Sequence, residues 1–501
     1  MRALRILVPL LSVCWLGCQS APEESIDPFA PVPLAWAGGE GSAEFAEEST
    51  DALEVWWDHF DDPDLAPLIE EALRAHPDLF AAAARVRAAT SALESAGALS
   101  WPELTGSLTA GRQRQNFIGI DIPGTGDVLS STSTSLGASI AARWEVDLWG
   151  RLSAVERGAA AAAEATIFDA LALRLSLSAR VASAWFLLIE AERQVELAEE
   201  IRNRWSESEE RITARVREGL AGTLDLRLAR SERAGADADL VGAKRRRGSA
   251  RRALELLLGR YPAEALAARA TLPSLDRPIP VALPATVLAR RPDLQAARAR
   301  LAGAAADRER AEADLWPQLV LTASGGRLSE ELSDLLDGDF SVWSLAAGLV
   351  GPLFDHGRRR AEVDAATARR TEAEARFAGA VLAACGEVEG ALRDEAWLVE
   401  EEARVAEFRT ETERAREVAR DQYARGLVDI LALLGAERNA ASAEGRVLAI
   451  ERARLENRLR LLVALGGAMP TTDVDFIDPD RFDADSNKAG PVDSMREERA
   501  P

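Results

Sequence analysis

One stretch of this chain occurs twice. His76-Pro77-Asp78-Leu79 opens a segment that closes on Trp101-Pro102-Glu103-Leu104. Arg291-Pro292-Asp293-Leu294 opens another that closes on Trp316-Pro317-Gln318-Leu319, offset by 215 residues at both ends. Further along the offset becomes 207 and stays there: Gly150-Arg151 matches Gly357-Arg358, Glu218-Gly219-Leu220 matches Arg425-Gly426-Leu427, and Leu258-Gly259 matches Leu465-Gly466. Two alanine-rich helices alike only in composition would not hold one offset over that length. The chain is therefore built from two copies of one unit. The eight-residue change in offset falls between Gly111 and Trp144, where the first copy has the longer loop.

Each unit begins with a predicted helix, 78–100 and 293–315, which the Trp-Pro pair then breaks, because proline disfavours helix for the residue before it. A strand is predicted over 104–111, then a polar loop over 112–132, then a second strand. In the second strand Leu136, Ala138, Ile140, Ala142 and Trp144 alternate with Gly137, Ser139, Ala141 and Arg143, a period of two with one apolar face. Residues 319–325 and 342–350 play these parts in the second unit. Such alternation suits a barrel and an ordinary soluble hairpin equally.

A very long helix follows. Residues 151–217 contain no proline and a single glycine, Gly158. Leu177, Val181, Ala184, Leu188, Ala191, Val195 and Ala198 keep a 4-3 spacing, the seam of left-handed coiled-coil packing. Gly219 and Gly222 mark a tight reversal, and a return helix runs from about 224 to 258, ended by Gly259 and Pro262. The second unit repeats this with a turn at Gly426. At 1.5 Å per residue the long helix reaches about 100 Å, and the short helix stacked on the return helix comes to about 87 Å. The architecture that fits is two long and two composite helices, antiparallel, with the strands at the end away from the turns. Four strands cannot close a membrane barrel, whose single-chain forms start near eight. Other copies must pair the strand edges, and a dimer of eight strands or a trimer of twelve would both do so.

The rest of the chain bounds the function. A net charge of -22 excludes a nucleic-acid partner, which requires basic patches. Arg2 and Arg5 followed by the apolar run Ile6 to Trp15 read as a secretion signal. Leu16-Gly17-Cys18 then resembles a lipoprotein cleavage site, with Cys18 as the lipidated new N-terminus, although Trp15 stands where such sites usually carry Leu. Secretion without lipid is the alternative. No later segment offers a long charge-free apolar run, so a membrane span would have to be a β-barrel. Cys385 lies on the apolar stripe Val381, Cys385, Val388, Leu392 and reads as core. Neither metal-ligand spacing nor a cofactor motif stands out, and His59, His76 and His356 carry no catalytic pattern. The chain thus divides into a signal peptide (1–17), a lipidated N-terminal and equatorial segment (18–77), the first repeat (78–259), a connector (260–292), the second repeat (293–467) and an acidic, disordered tail (468–501).

Several motifs resemble the TolC-type outer-membrane efflux proteins, and specifically their OprM-like lipoprotein branch, over about residues 50 to 467. They are Trp56-Trp57 with Phe60, Asp62-Pro63 and Leu65; Trp144-Glu145-Val146-Asp147-Leu148-Trp149-Gly150-Arg151; Arg290-Arg291-Pro292-Asp293; and Leu462 to Gly466. The resemblance implies an α+β channel-tunnel: a homotrimer whose four strands per chain complete a 12-stranded barrel in the outer membrane, above a periplasmic α-helical coiled-coil barrel. It implies an exit duct, not an enzyme, joined to an inner-membrane RND-type pump by a periplasmic adaptor. It also places the gate at the turns. Gly219 and Gly426 are the tip glycines, and Tyr423 stands where the family has a tyrosine bonded to the aspartate matched by Asp225. Val428 replaces the family's bridging arginine, and Ala432 and Gly435 replace its cation-binding aspartates. The nearest carboxylate is Asp429. A gate held by apolar contact at Leu427 and Val428 is the implied consequence. A duct for secreted proteins, or a periplasmic coiled-coil scaffold without a pore, are the alternatives.

Overall fold

The computed structural model describes residues 36, 55–117, 129–269, 271–275, 287, 289–336 and 338–467. Cys18, the segment 1–17 and the tail 468–501 lie outside them. The helices are α1 (Leu65–Ala75), α2 (Pro77–Ala98), α3 (Arg151–Arg217), α4 (Thr223–Leu257), α5 (Pro292–Ala313), α6 (Arg358–Ala424) and α7 (Ile430–Ala464). The strands are β1 (Glu103–Phe117), β2 (Leu129–Val146), β3 (Gln318–Ser329) and β4 (Ser341–Val350). The duplication is exact in length: α3 and α6 have 67 residues each, α4 and α7 have 35, and α2 and α5 have 22.

Helices of this length form because nothing in them stops the hydrogen-bond ladder and every turn supplies an apolar residue to a neighbour. The α3 seam is buried at Leu177, Val181, Leu188, Ala191 and Val195. A second stripe on α3, Ala182, Trp185, Phe186 and Ile189, is buried as well. α3 is therefore an interior helix. It packs against α4 and α7 towards the turns and against α2 and α5 towards the strands, whereas α6 packs against α5 and α7. One stretch of α3 is long and apolar enough to pass as a membrane span, contrary to the sequence reading, but 56% of it is buried inside the fold. Its apolarity serves helix packing.

Each short helix stacks on a return helix. Gly259 takes a φ of 74° at the end of α4, and a Cβ there would stand 2.9 Å from the Ala75 carbonyl oxygen. Only glycine allows both the left-handed turn and the close approach.

The strands form one antiparallel sheet in the order β1-β2-β3-β4, so β1 and β4 are its open edges. The strands of the first hairpin are longer than the sequence reading gives. Pairing runs in one register from Glu103↔Arg143 to Phe117↔Leu129, through residues read as loop. Ser, Gln and Arg carry a weak strand signal alone, but each gains a ladder partner here. The register puts Leu104, Leu108, Ile140, Leu321, Leu345 and Leu349 on one face. Leu108 is 86% and Trp343, on the same face, 82% exposed. On the opposite face Ser107 bonds Ser139 and Ser324 bonds Ser344, both at 2.8 Å. From Leu136 to Trp144 this apolar band is about 27 Å long on the strand. At a 40° tilt that gives about 21 Å of height, near the roughly 25 Å of outer-membrane barrels.

Candidate functional site

The sheet is joined to the helices by the Trp144–Arg151 motif. The Asp147 carboxylate accepts from the Leu152 and Ser153 amides at 3.0 and 2.8 Å and from the Ser153 hydroxyl at 2.7 Å, capping α3. Arg151 donates to both Glu145 oxygens at 2.9 and 2.8 Å, a bidentate clamp across the strand-to-helix bend. Trp149 stacks on Trp316 at 5.1 Å and donates its indole N–H to the Pro317 carbonyl at 2.7 Å, so the Trp-Pro of one unit is fastened to the motif of the other.

At mid-height the Arg291-Pro292-Asp293 motif makes the second joint. Pro292 starts α5, where its missing N–H costs nothing. Arg291, 8% exposed, donates to Asp293 at 3.1 and 2.7 Å, to Glu387 of α6 at 2.7 Å and to the Ala464 carbonyl at the end of α7 at 3.2 Å. It thereby meets a helix C-terminus, where a cation is favoured. Burial alone would raise the Asp293 carboxyl, but the Arg291 hydrogen bonds and charge outweigh it and hold the group below its ordinary value. In the N-terminal segment Trp56, Phe60 and Leu65 are fully buried against α3, with Phe60 and Phe186 rings 5.0 Å apart. The buried Asp62 accepts from the Trp185 indole at 2.9 Å and pairs with Arg269. Sequence reasoning named Asp62 only as part of a motif. Its partners lie 123 and 207 residues away and leave no local signal.

The tip is built from two turns of the same form. Gly219 and Gly426 take φ of 72° and 74°, and the Leu220 and Leu427 amides donate back to the Arg215 and Gln422 carbonyls at 2.8 and 2.9 Å. That closes each long helix in a Schellman turn. The return helices then need acceptors for their first amides. Asp225 reaches back to the Gly222 amide at 3.2 Å, while Asp429 reaches forward to the Ala432 amide at 2.9 Å. Gly222 matches Asp429 in the 207-residue offset, and Asp225 matches Ala432. Each tip thus carries one half of a capping box.

Tyr423 is buried among Trp205, Ile212, Ala229, Ile430, Leu433 and Leu434. Its hydroxyl makes no hydrogen bond among the described residues. The Tyr423–Asp225 bond implied by the resemblance is therefore not formed in this structure, because Asp225 is engaged on its own helix. Burial, and after it the Asp225 charge, push the Tyr423 phenol up, with Arg215 opposing. Arg215 is the residue that sequence reasoning missed: its guanidinium lies 5.1 Å over the Tyr423 ring and donates to the Ala424 carbonyl at 2.9 Å. It tethers the first tip to the second. Val428 packs half-buried on the tip cluster, while Leu427 stands 69% exposed.

Comparison with known proteins follows the same outline. A family model described as outer membrane efflux protein matches residues 68–260 and 283–467. The pyoverdine export outer membrane protein OpmQ of Pseudomonas aeruginosa is 31% identical over 468 residues, 91% of this chain and 96% of the relative. The toluene efflux pump outer membrane protein TtgF of Pseudomonas putida is 30% identical over 474 residues, 91% of this chain and 95% of the relative. Among solved structures, the outer-membrane channel OprN superimposes with a TM-score of 0.79 at 28% identity, covering 88% of this chain and 98% of that one.

Proposed function

The chain belongs to the outer membrane efflux protein family, and from that premise we propose that it is the exit duct of a tripartite efflux system, passing small toxic compounds outward from an inner-membrane pump through a periplasmic adaptor. The observation that carries this reading is the sheet: four strands with an exposed apolar face, a serine-bearing opposite face and two open edges. An open edge and an exposed apolar face are both unfavourable in water. Closure with two further copies in the outer membrane, as a twelve-stranded homotrimeric barrel, removes both. Serine on the inner face suits a water-filled bore.

In this reading Cys18 carries the lipid anchor. The tip turns at Gly219 and Gly426 form the periplasmic aperture, with Leu427 and Val428 as its apolar contacts and Asp225 and Asp429 as the caps that keep the turns folded. Tyr423 acts as the buried wedge between the two tips.

Planar-bilayer recording of the purified full-length protein tests the duct: discrete channel openings are expected. A protein that stays silent in its wild-type form and with the tip loosened by Tyr423→Ala would leave the non-conducting scaffold as the better reading. Mass measurement of the wild type against Cys18→Ala tests the anchor, with an acyl increment expected only in the former.

A further inference from the structure

Among the described residues both lateral edges of the helical layer, α4 and α6, are uncovered. α4 turns Ala229, Ala236, Ala243 and Ala250 into α3, a strict seven-residue repeat. At 100° per residue Arg245 lies 200° from Ala243, on the far side. That side has its own seam, Ser231, Gly235, Ala238, Gly242, Arg245 and Ser249, spaced 4-3-4-3-4. On α6, Glu402 is held by Arg454 of α7, so Glu400 lies 160° away from it and also faces outward. Its seam is Ala396, Glu400, Ala403 and Glu407, spaced 4-3-4, and all four residues are exposed. Small residues at such spacing let helices approach closely. Arg245 and Glu400 are both exposed, and neither forms an ion pair among the described residues.

The two seams stand at one height. The Lys244–Glu199 pair at 3.0 Å sets Arg245 level with residues near 198 of α3. Arg204–Glu444 and Arg452–Glu190, both 2.7 Å, set that stretch level with 444–452 of α7. Glu402–Arg454, with Arg458–Glu395 at 2.9 Å, sets that part of α7 level with the residues just after Glu402 on α6. Arg245 therefore stands between the heights of Glu400 and Glu407. Rotation about the axis of a ring of copies leaves height unchanged.

We infer that Arg245 of each protomer pairs with Glu400 and Glu407 of the next copy, a charge belt about 35 Å above the tip that sets the register in which protomers assemble. The inference rests on the homotrimer proposed above. Charge complementarity at an interface selects partners and registers more than it adds affinity, which suits a contact between seams built otherwise of small residues. The acidic tail 468–501 is the competing occupant of the Arg245 face.

The test uses the full-length protein in detergent with Cys385→Ser. Arg245→Cys combined with Glu400→Cys is expected to give a covalent ladder up to trimer on non-reducing gels. In the native-cysteine background Arg245→Glu is expected to lower the trimer fraction about tenfold, and adding Glu400→Arg with Glu407→Arg to restore it. A protein that is trimeric by native mass spectrometry yet gives no ladder with cysteine at 400 or 407 overturns the belt and leaves the trimer standing. A disulfide from Arg245→Cys to Asp478→Cys in the tail overturns it likewise. A wild type that is monomeric overturns the trimer itself.

Discussion

At mid-height the protein buries Trp56, Phe60, Leu65, Phe186 and Ile189 in one cluster around α3 and seats Asp62 and Arg291 inside it or beside it with their partners. At the tip a smaller cluster around Tyr423 is bounded by turns whose leucines, Leu220 and Leu427, are more than 60% exposed. Both regions obey the same duplication, yet they hold in different ways. The equator is held by buried aromatic area and by two charges with little access to water, Asp62 and Arg291. The tip is held by two glycine turns, two single-sided caps and one arginine laid over a ring. Local opening free energies follow buried apolar contact, so the tip should open while the equator stays closed. That division suits the aperture proposed at the tip.

Six substitutions probe this contrast, in order of expected effect. Phe186→Ala removes a fully buried ring and should cost about 3–5 kcal/mol, seen as a large drop in the thermal unfolding midpoint. A loss no greater than that of a tip variant would break the contrast. Arg291→Ala should cost about 2 kcal/mol, since it removes the donor shared by Asp293, Glu387 and the Ala464 carbonyl, while the half-exposed Asp293 carboxylate keeps the Leu294 amide. Its companion Asp293→Asn gives a pH signature. The Asp293 pKa is depressed in the fold, so its stabilisation is present above the unfolded value of about 3.9 and is lost as pH falls through the lower folded value. Wild type and Asp293→Asn should therefore differ at pH 6 and converge on acidification, which paired urea titrations would read.

Asp225→Ala and Asp429→Ala should each cost about 1 kcal/mol, as helix caps do. Hydrogen exchange should quicken only in the first turns of α4 and α7; exchange that spread to the equator would show that the two regions are one cooperative unit. Tyr423→Phe should change stability by less than about 1 kcal/mol, because it removes a buried hydroxyl that has no partner. A large loss of stability, or a rise in bilayer conductance with Tyr423→Phe, would mean that the hydroxyl finds Asp225 in another state of the tip.

The long helices were legible because their signal is local and repeated: a 4-3 seam and the absence of proline over 67 residues leave one conformation. The stacking of short on return helices was legible from length alone. The strand ends were not. Residues 112–117 are polar but for Phe117 and carry no alternating apolar face, and pairing with residues 129–134 makes them extended. At the tip, the difference between Asp225 and Ala432 was visible in the aligned copies, but its meaning was not. The structure shows the acid moved from N3 to the cap position, Asp429, so that the first tip satisfies the cap amide and the second the N3 amide, opposite halves of one capping box. Arg215 had no signal beyond its place one turn before Gly219.

The sequence alone determined that there are two copies, how long each helix runs, where it turns and that four strands need company, because periodicity and chain-breaking residues act within a few turns of the backbone. Only the tertiary structure decided that α3 is interior while α6 is an edge, that Arg291 closes a joint, and that Tyr423 is a buried wedge whose hydroxyl does not bond Asp225. Those depend on which faces meet across 100 to 200 residues of chain, and identical local patterns in the two copies cannot distinguish a helix with neighbours on both sides from one that waits for another protomer.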